Sequence, residues 1–441
     1  MHNCVHDWTL AALNKDIDIK HYWYALDCVD AYITEVDGAS LEHISFSQFA
    51  SHAARLAEQR FLENDMISDS SLDRLDKVSR ISTLLQQQIQ PKKAEQIHVR
   101  ALAGYEKVLG PNHASTLSAI YNLGNIYSDQ GKLDKAEKMY IQAQAGYEMV
   151  LGPDHTFTFN SVNNLGMLYY DQGKLDKAEQ MYIRALVRKE KVLGTDHTST
   201  LDTLYNLGIL YRQQGKLDKA EQMFMRTITG KEKALGPDHS STLDTIQSIG
   251  NIYCDKGKLK KGEKMYIRVI AGKEKVLGPD HPSTLATIHN LGLLYCIQDK
   301  LDKAEPMLMQ SLAGYEKALG PDHPSTFAIF HSLGLLYSGQ DKLDKAEQML
   351  IQALAGKEKA LGPDHPSTLD TMHHLGILYR QQGKLSKAEQ MLMQALAGRE
   401  KVLGPDHRWT LDTANNLKNL DRRQGKLSKA VQMLWRARTR K

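Results

Sequence analysis

Eight histidines recur at a constant spacing of 42 residues, and histidine is both a frequent metal ligand and a side chain that titrates near neutral pH. Most stand in the string LGPDH, which reads LGPNH in the first copy and LGTDH in the third. They are His113, His155, His197, His239, His281, His323, His365 and His407. Equivalent positions of stacked helical repeats lie roughly 10 Å apart. Because a shared metal ion needs ligands about 2 Å away, we expect loop and capping residues and no metal.

The cysteines do not indicate a disulfide framework or a metal site. Cys4, Cys28, Cys254 and Cys296 include no CxxC pair. Cys254 and Cys296 are also 42 residues apart, so repeat geometry separates them by more than the roughly 7 Å that a disulfide spans between α-carbons. We expect reduced thiols and a cytoplasmic location.

The sequence lacks the common catalytic motifs. The chain contains no GxSxG or HExxH string and no phosphate-binding P-loop. The sequence therefore predicts a protein that is not an enzyme and uses no cofactor.

Composition restricts the partners. The 441 residues are 41% hydrophobic and 24% charged, with a net charge of +4, which favours neither nucleic acid nor an anionic membrane as the main partner. No apolar stretch reaches the roughly 18 to 20 residues that cross a bilayer. The stretch 407–441 is basic and could contact phosphate, which is a nucleic-acid alternative, but a solvated terminal cap is the simpler interpretation.

Each 42-residue unit predicts two amphipathic helices. In the unit that begins at Leu201, apolar residues recur at intervals of three and four, first at Leu204, Leu207 and Tyr211, then at Ala220 and Phe224. A single hairpin cannot bury both apolar faces, so neighbouring hairpins must stack into one continuous core.

The predicted helix ends follow capping patterns. Ser199 with Asp202 is expected to cap the first helix, and Asp218 with Glu221 to cap the second. Gly215 is expected to supply the left-handed residue between them. In the last unit, Lys418 and Asp421 replace the usual glycine and tyrosine, and we expect them to face water.

The residues that recur in each unit resemble the tetratricopeptide repeat. Leu207, Gly208, Tyr211, Ala220 and Phe224 match its signature, and the 42-residue period is similar to that of kinesin light chain repeats. The resemblance implies an all-α, right-handed superhelical solenoid whose concave groove binds peptide segments of partner proteins. A kinesin-light-chain-like cargo adaptor is one alternative.

The repeats predict the following division of the chain. An acidic helical N-terminal region covers 1–70, a degenerate repeat 71–112, seven regular repeats 113–406 and a C-terminal capping repeat 407–441. The opening string MHNCVHDWTLAALNK resembles the segment that closes the winged-helix part of fungal NB-ARC or NACHT proteins. That resemblance implies a second alternative, the ligand-sensing portion of such a signalling ATPase without its nucleotide-binding domain.

The resemblance also places the first helix of each hairpin on the inner wall of the groove. The expected peptide-binding residues there are Asn122, Asn164, Tyr205, Asn206, Arg212, Asn290, Leu293, Leu335, His289, His331, His373 and Arg380.

The expected roles of these residues follow from their side chains. Leucines would hold apolar anchors, and asparagines would bind a peptide backbone or, more simply, join adjacent hairpins. The guanidinium groups of Arg212 and Arg380 match acidic residues. His289, His331 and His373 stand at one repeat position and form a histidine column. This column would favour acidic ligands if it were partly protonated near pH 6.5. The simpler expectation is that these histidines are exposed polar residues.

Overall fold

The computed structural model describes residues 75, 76, 79 and 91–423, and every regular element within them is an α-helix. The helices are α1 Pro91–Leu109, α2 Ala114–Asp129, α3 Leu133–Leu151, α4 Thr156–Asp171, α5 Leu175–Leu193, α6 Thr198–Gln213, α7 Leu217–Leu235, α8 Ser240–Asp255, α9 Leu259–Leu277, α10 Pro282–Ile297, α11 Leu301–Leu319, α12 Pro324–Gly339, α13 Leu343–Leu361, α14 Pro366–Gln381, α15 Leu385–Leu403 and α16 Arg408–Arg423. The predictions for 1–70 and for the basic segment after 423 lie outside the described residues.

The chain divides within α7 into two compact units, Met1–Met223 and Phe224–Lys441. In each 42-residue repeat of both units, a first helix of 16 residues is followed by a second helix of 19 residues, and the two pack as a hairpin. The all-α architecture of stacked hairpins confirms the predicted fold class. None of the helices in the described part of the chain is both long and apolar enough to cross a bilayer.

The regularly spaced histidines cap the first helices, as predicted. His197 has extended backbone angles, and its Nδ1 accepts a hydrogen bond from the Ser199 amide at 3.2 Å. Thr200 Oγ1 then donates to the Gly194 carbonyl at 2.9 Å, which ties the preceding loop to the new helix. The proposed cap at Ser199 is therefore wrong, because α6 already begins at Thr198.

The second helices use a different device from the one predicted. Because α7 begins at Leu217, Asp218 lies inside the first turn, where its carboxylate is stabilised by the positive end of the helix rather than acting as the N-cap. Lys174, the corresponding residue before α5, makes no side-chain cap. The predicted left-handed glycine is confirmed, since Gly215 has φ +72°.

In the α12–α13 hairpin two glycines let the helices approach closely. A β-carbon at Gly334 on α12 would lie 2.6 Å from Leu350 Cγ, and one at Gly356 on α13 would lie 2.1 Å from the Phe327 ring. Both distances are far below van der Waals contact. Buried apolar residues such as Ile329 form the core of the second unit around these helices.

A carboxylate on six of the second helices braces the next hairpin. Glu137 accepts hydrogen bonds from Tyr169 Oη at 3.2 Å and from Gln172 Nε2 and Lys174 Nζ at 3.1 Å. The glutamates that accept from the following hairpin in this way are Glu95, Glu137, Glu179, Glu263, Glu305 and Glu347. This position matches Glu221, so its sequence signal comes from contacts between hairpins as well as from the helix start.

The last described helix corrects one expectation. Asp421 is fully buried rather than facing water. It stands 42 residues after Tyr379, at the position whose side chain packs toward the preceding second helix in the other repeats. Lys418 is half-buried.

The close approach at Gly356 predicts a large effect of one methyl group. Gly356→Ala should lower the free energy of unfolding by about 1 to 3 kcal/mol, because the new β-carbon overlaps the Phe327 ring. Gly339→Ala on α12 is the matched control, since its β-carbon would meet only Leu301 Cδ1 at 3.9 Å. Urea denaturation followed by circular dichroism measures both, and equal midpoints would contradict the argument.

The brace at Glu347 predicts an acid-sensitive contribution to stability. Burial alone would raise the pKa of Glu347, but hydrogen bonds from Lys384 and Gln382 and the lysine charges outweigh it and hold the pKa below its ordinary value. This stabilisation is present above the unfolded-state pKa of about 4.3 and is lost as pH falls through the lower folded-state pKa. Glu347→Gln should therefore cost about 1 kcal/mol at pH 7 and progressively less below pH 4.

The control for this prediction is Glu358→Gln, an exposed glutamate on the same helix. Urea midpoints of both variants at pH 7 and pH 3.5 provide the comparison. A cost for Glu347→Gln that does not change with pH would show that charge plays no part in the brace.

Candidate ligand-binding face

The first helices of the second unit form the strongest candidate surface. Helix α10 contacts α12, α12 contacts α14, and α14 contacts α16. On each of these helices, residues spaced by three or four lie on one side, away from the fully buried apolar side. We call this surface the ligand face; it comprises His289, Leu293, Cys296, His331, Leu335, Ser338, Asp370, His373, His374, Ile377 and Arg380.

An apolar stripe crosses the ligand face. Leu293, Leu335 and Ile377 stand at one repeat position on α10, α12 and α14, and each is half-buried. Ile297, at the end of α10, has 67% of its surface exposed. Such a stripe can bury the apolar side chains of a bound segment.

The stripe is bordered by polar residues that are already positioned. Arg380 Nη1 donates to Asn416 Oδ1 at 3.2 Å, which fixes the guanidinium at the edge of the stripe. Ser338 Oγ donates to Gln381 Oε1 at 2.9 Å. The half-buried Cys296 carries a free thiol, and burial raises its pKa, so it stays protonated.

The histidine column differs from both expectations. His331 and His373 are buried, with 8% and 7% of their surfaces exposed, and their Nδ1 atoms lie 3.0 and 3.1 Å from the hydroxyls of Thr371 and Thr413. His289 is half-buried, and its Nε2 lies 2.8 Å from Ser332 Oγ. The prediction of simple exposure is wrong for His331 and His373 because each ring contacts the next hairpin.

The same burial keeps these rings neutral. Burial, helped by the positive charge of Lys357, lowers the pKa of His331 to about 2. Burial, together with Arg399, lowers the pKa of His373 to about 3, and burial alone lowers that of His289 to about 4. Partial protonation near pH 6.5, as the sequence suggested, therefore does not occur.

The asparagines serve at least partly to join hairpins. In the first unit, Asn164 Nδ2 donates to the Tyr121 hydroxyl and lies 3.4 Å from Asn125 Oδ1, both on the preceding first helix. This is the simpler of the two roles predicted for that position. Asn122 lines a hollow of about 350 Å³ with Ser118.

The remaining predicted residues are half-buried or exposed. In the first unit Tyr205 and Asn206 are half-buried and Arg212 is exposed on α6. In the second unit Asn290 is half-buried on α10. The predicted groove residues thus divide between the two units. Sequence reasoning missed Asp370 and His374, whose signal is their spacing of four residues on α14.

Comparison with known families identifies the repeat. The tetratricopeptide repeat profile matches residues 76–149, 115–186, 157–233, 241–317, 285–359 and 340–401. The chain belongs to the tetratricopeptide repeat family. Tetratricopeptide repeats are typical of non-catalytic scaffolds for protein interaction. A search among curated protein sequences finds no match.

Several solved structures are similar to this chain. RapI without ligand is 14% identical, with 65% of this chain and 98% of that chain covered and a TM-score of 0.53, so it shares the fold. A crystal structure of kinesin light chain TPR-like repeats from Podosopora anserina is 28% identical over 46% of this chain and 97% of that chain, with a TM-score of 0.41. A Rap protein complexed with competence and sporulation factor is 14% identical, covers 91% and 99%, and has a TM-score of 0.49.

The neutral histidines predict a pH dependence of stability. The unfolded-state pKa of histidine is about 6.5. Below that pH the histidines of the unfolded chain bind protons, whereas the buried rings of the folded chain stay neutral. The free energy of unfolding should therefore fall as pH decreases from 6.5 to 5, at up to about 1.4 kcal/mol per pH unit for each such ring. Around His331, the charged or titratable neighbours are Lys357, Asp370, His374 and His289.

His331→Gln tests this, since glutamine retains hydrogen-bonding capacity but does not titrate. The slope of unfolding free energy against pH between 6.5 and 5 should become shallower, whatever the absolute loss of stability. Identical slopes for the variant and the parent chain would show that His331 titrates normally in the folded protein.

Proposed function

We propose that this protein is a scaffold that binds peptide segments of partner proteins on the ligand face of its second unit. The observation that carries the proposal is the half-buried stripe of Leu293, Leu335 and Ile377, bordered by a guanidinium that Asn416 holds in place. A family whose repeats typically serve protein interaction supports the same conclusion.

The chemistry of the face specifies the ligand class. Apolar side chains of the ligand would pack on the stripe, and a carboxylate near one end would pair with Arg380, whose planar fork suits bidentate binding. The neutral histidines supply hydrogen bonds but no charge. The ligand is therefore an extended or helical segment with apolar anchors followed by an acidic residue.

Arg380→Ala should weaken binding of such peptides about tenfold, which corresponds to about 1.4 kcal/mol. The probe is a labelled peptide library in which apolar residues alternate with glutamate or with glutamine at varied spacing, and fluorescence anisotropy measures affinity. Arg408→Ala on α16 is the matched control, because Arg408 is exposed in the first turn and outside the ligand face.

A second pair of variants separates the two parts of the face. Leu335→Asp should weaken binding of every library member, whereas Arg380→Ala should affect only the acidic ones. The double variant Arg212→Ala with Arg380→Ala tests the contribution of the first unit. If neither Leu335→Asp nor the double variant changes any affinity, peptide binding at the predicted residues is wrong.

A narrower role rests on the N-terminal string, which resembles the end of the winged-helix part of fungal NB-ARC or NACHT proteins. In that role the repeats would be the sensor of a nucleotide switch, with a P-loop encoded upstream in the same frame. Reading the genomic frame upstream of Met1 tests it, and an in-frame stop codon without a P-loop would refute it. Cys254 and Cys296 are not linked by a disulfide, which suits a cytoplasmic location for either role.

A further inference from the structure

Three potential metal ligands converge on the ligand face between α12 and α14. The rings of His331 and His374 meet edge-on with centroids 5.1 Å apart. The Asp370 carboxylate lies beside both, with Oδ2 at 3.6 Å from His331 Nε2 and Oδ1 at 3.9 Å from His374 Nδ1. One ligand atom from each residue lies within 4.8 Å of the other two.

These separations are close to those of a coordinated set. Zinc binds imidazole nitrogen and carboxylate oxygen at about 2.0 to 2.2 Å, so two ligands at a tetrahedral angle lie roughly 3.4 Å apart. The 3.6 Å between Asp370 Oδ2 and His331 Nε2 exceeds this by about 0.2 Å. Rotations of the His374 and Asp370 side chains, which are 30% and 44% exposed, can bring the second ring nitrogen of His374 to the same ion.

The convergence follows from the repeat geometry. Asp370 and His374 are four residues apart on α14 and so lie on one face. His331 is 43 residues before His374, and side chains with that offset meet across adjacent first helices, as Tyr121 with Asn164 and His289 with Ser332 show. Residues at equivalent positions, 42 residues apart, are too far from each other to share a metal ion. Residues with an offset of 43 are not separated in this way.

The hydrogen bonds of both rings are compatible with one ring nitrogen binding a metal ion. The Thr371 hydroxyl donates its single proton to the Ser367 carbonyl at 3.0 Å and accepts from Lys357 Nζ at 2.9 Å. In the tautomer in which His331 Nδ1 donates to Thr371, Nε2 carries the lone pair and faces the Asp370 carboxylate. A bound cation would then lie between two acceptors.

His374 and Asp370 are oriented in the manner of metal ligands. His374 Nδ1 lies 3.0 Å from the Asp370 backbone carbonyl, to which it donates, so Nε2 is the ring nitrogen left for a metal ion. Arg399 Nη2 donates to Asp370 Oδ1 at 2.8 Å and fixes the carboxylate. Ligating histidines commonly donate their second ring nitrogen to a carbonyl or hydroxyl oxygen in this way.

We infer that His331, Asp370 and His374 form a site for a divalent transition-metal ion of the zinc class, with one coordination position open on the ligand face. Two imidazoles and one carboxylate suit Zn²⁺ or Co²⁺, whereas Ca²⁺ and Mg²⁺ require more oxygen ligands. The bound ion would cross-link α12 to α14. The inference does not depend on peptide binding.

The test uses the full chain, reduced and freed of metal by chelation. Titration with Zn²⁺ by calorimetry should show one site in the parent chain that His374→Ala weakens at least tenfold. Co²⁺ should give visible absorption bands of a low-coordinate nitrogen and oxygen site in the parent chain and not in the variant. Zn²⁺ should also raise the melting temperature of the parent chain more than that of the variant.

Two further variants make the result decisive. His281→Ala removes an exposed loop histidine and should leave the Zn²⁺ titration unchanged. Asp370→Asn should weaken Zn²⁺ binding as His374→Ala does, and circular dichroism confirms that each variant is folded. Equal Zn²⁺ affinity and stoichiometry in the parent chain, His374→Ala and Asp370→Asn, or no Co²⁺ bands in the parent chain, would overturn the site.

Discussion

The close approach of the two helices in each hairpin is the constraint on which the rest of the structure depends. Where a first helix carries Gly334 and a second helix carries Gly356, a single added β-carbon would overlap the neighbouring helix. The absence of these side chains fixes the distance and rotation of one helix against the other. Each hairpin therefore presents the same side of its first helix, and that side becomes the ligand face.

Because the hairpins are alike, contacts between them recur at constant offsets while their chemistry varies. A threonine on one first helix bonds the residue 40 positions earlier, which is Asn163 for Thr203, Gln247 for Thr287, His331 for Thr371 and His373 for Thr413. Much of the polar capacity of the face is thus used between hairpins. What remains for a ligand is the apolar stripe and its bordering charges.

Buried cations shape the electrostatics of the same region. Lys357 is almost fully buried and donates to Thr371, and burial lowers its pKa to about 8. Arg399 occupies the equivalent position one hairpin later and pairs with Asp370. Burial, together with these positive charges, keeps His331 and His373 neutral. Arg399 also orients the Asp370 carboxylate, which lies beside His331 and His374.

The sequence by itself determined the helices, their order and the capping role of the repeated histidines, because helical periodicity and capping involve residues at most four apart. It misplaced the cap at Ser199 by two residues and treated His331 and His373 as exposed. Whether a face residue is buried or neutral depends on residues 40 or 43 positions away in the next hairpin. Only the tertiary structure brings those residues together, so it alone decided which side chains a ligand or a metal ion can reach.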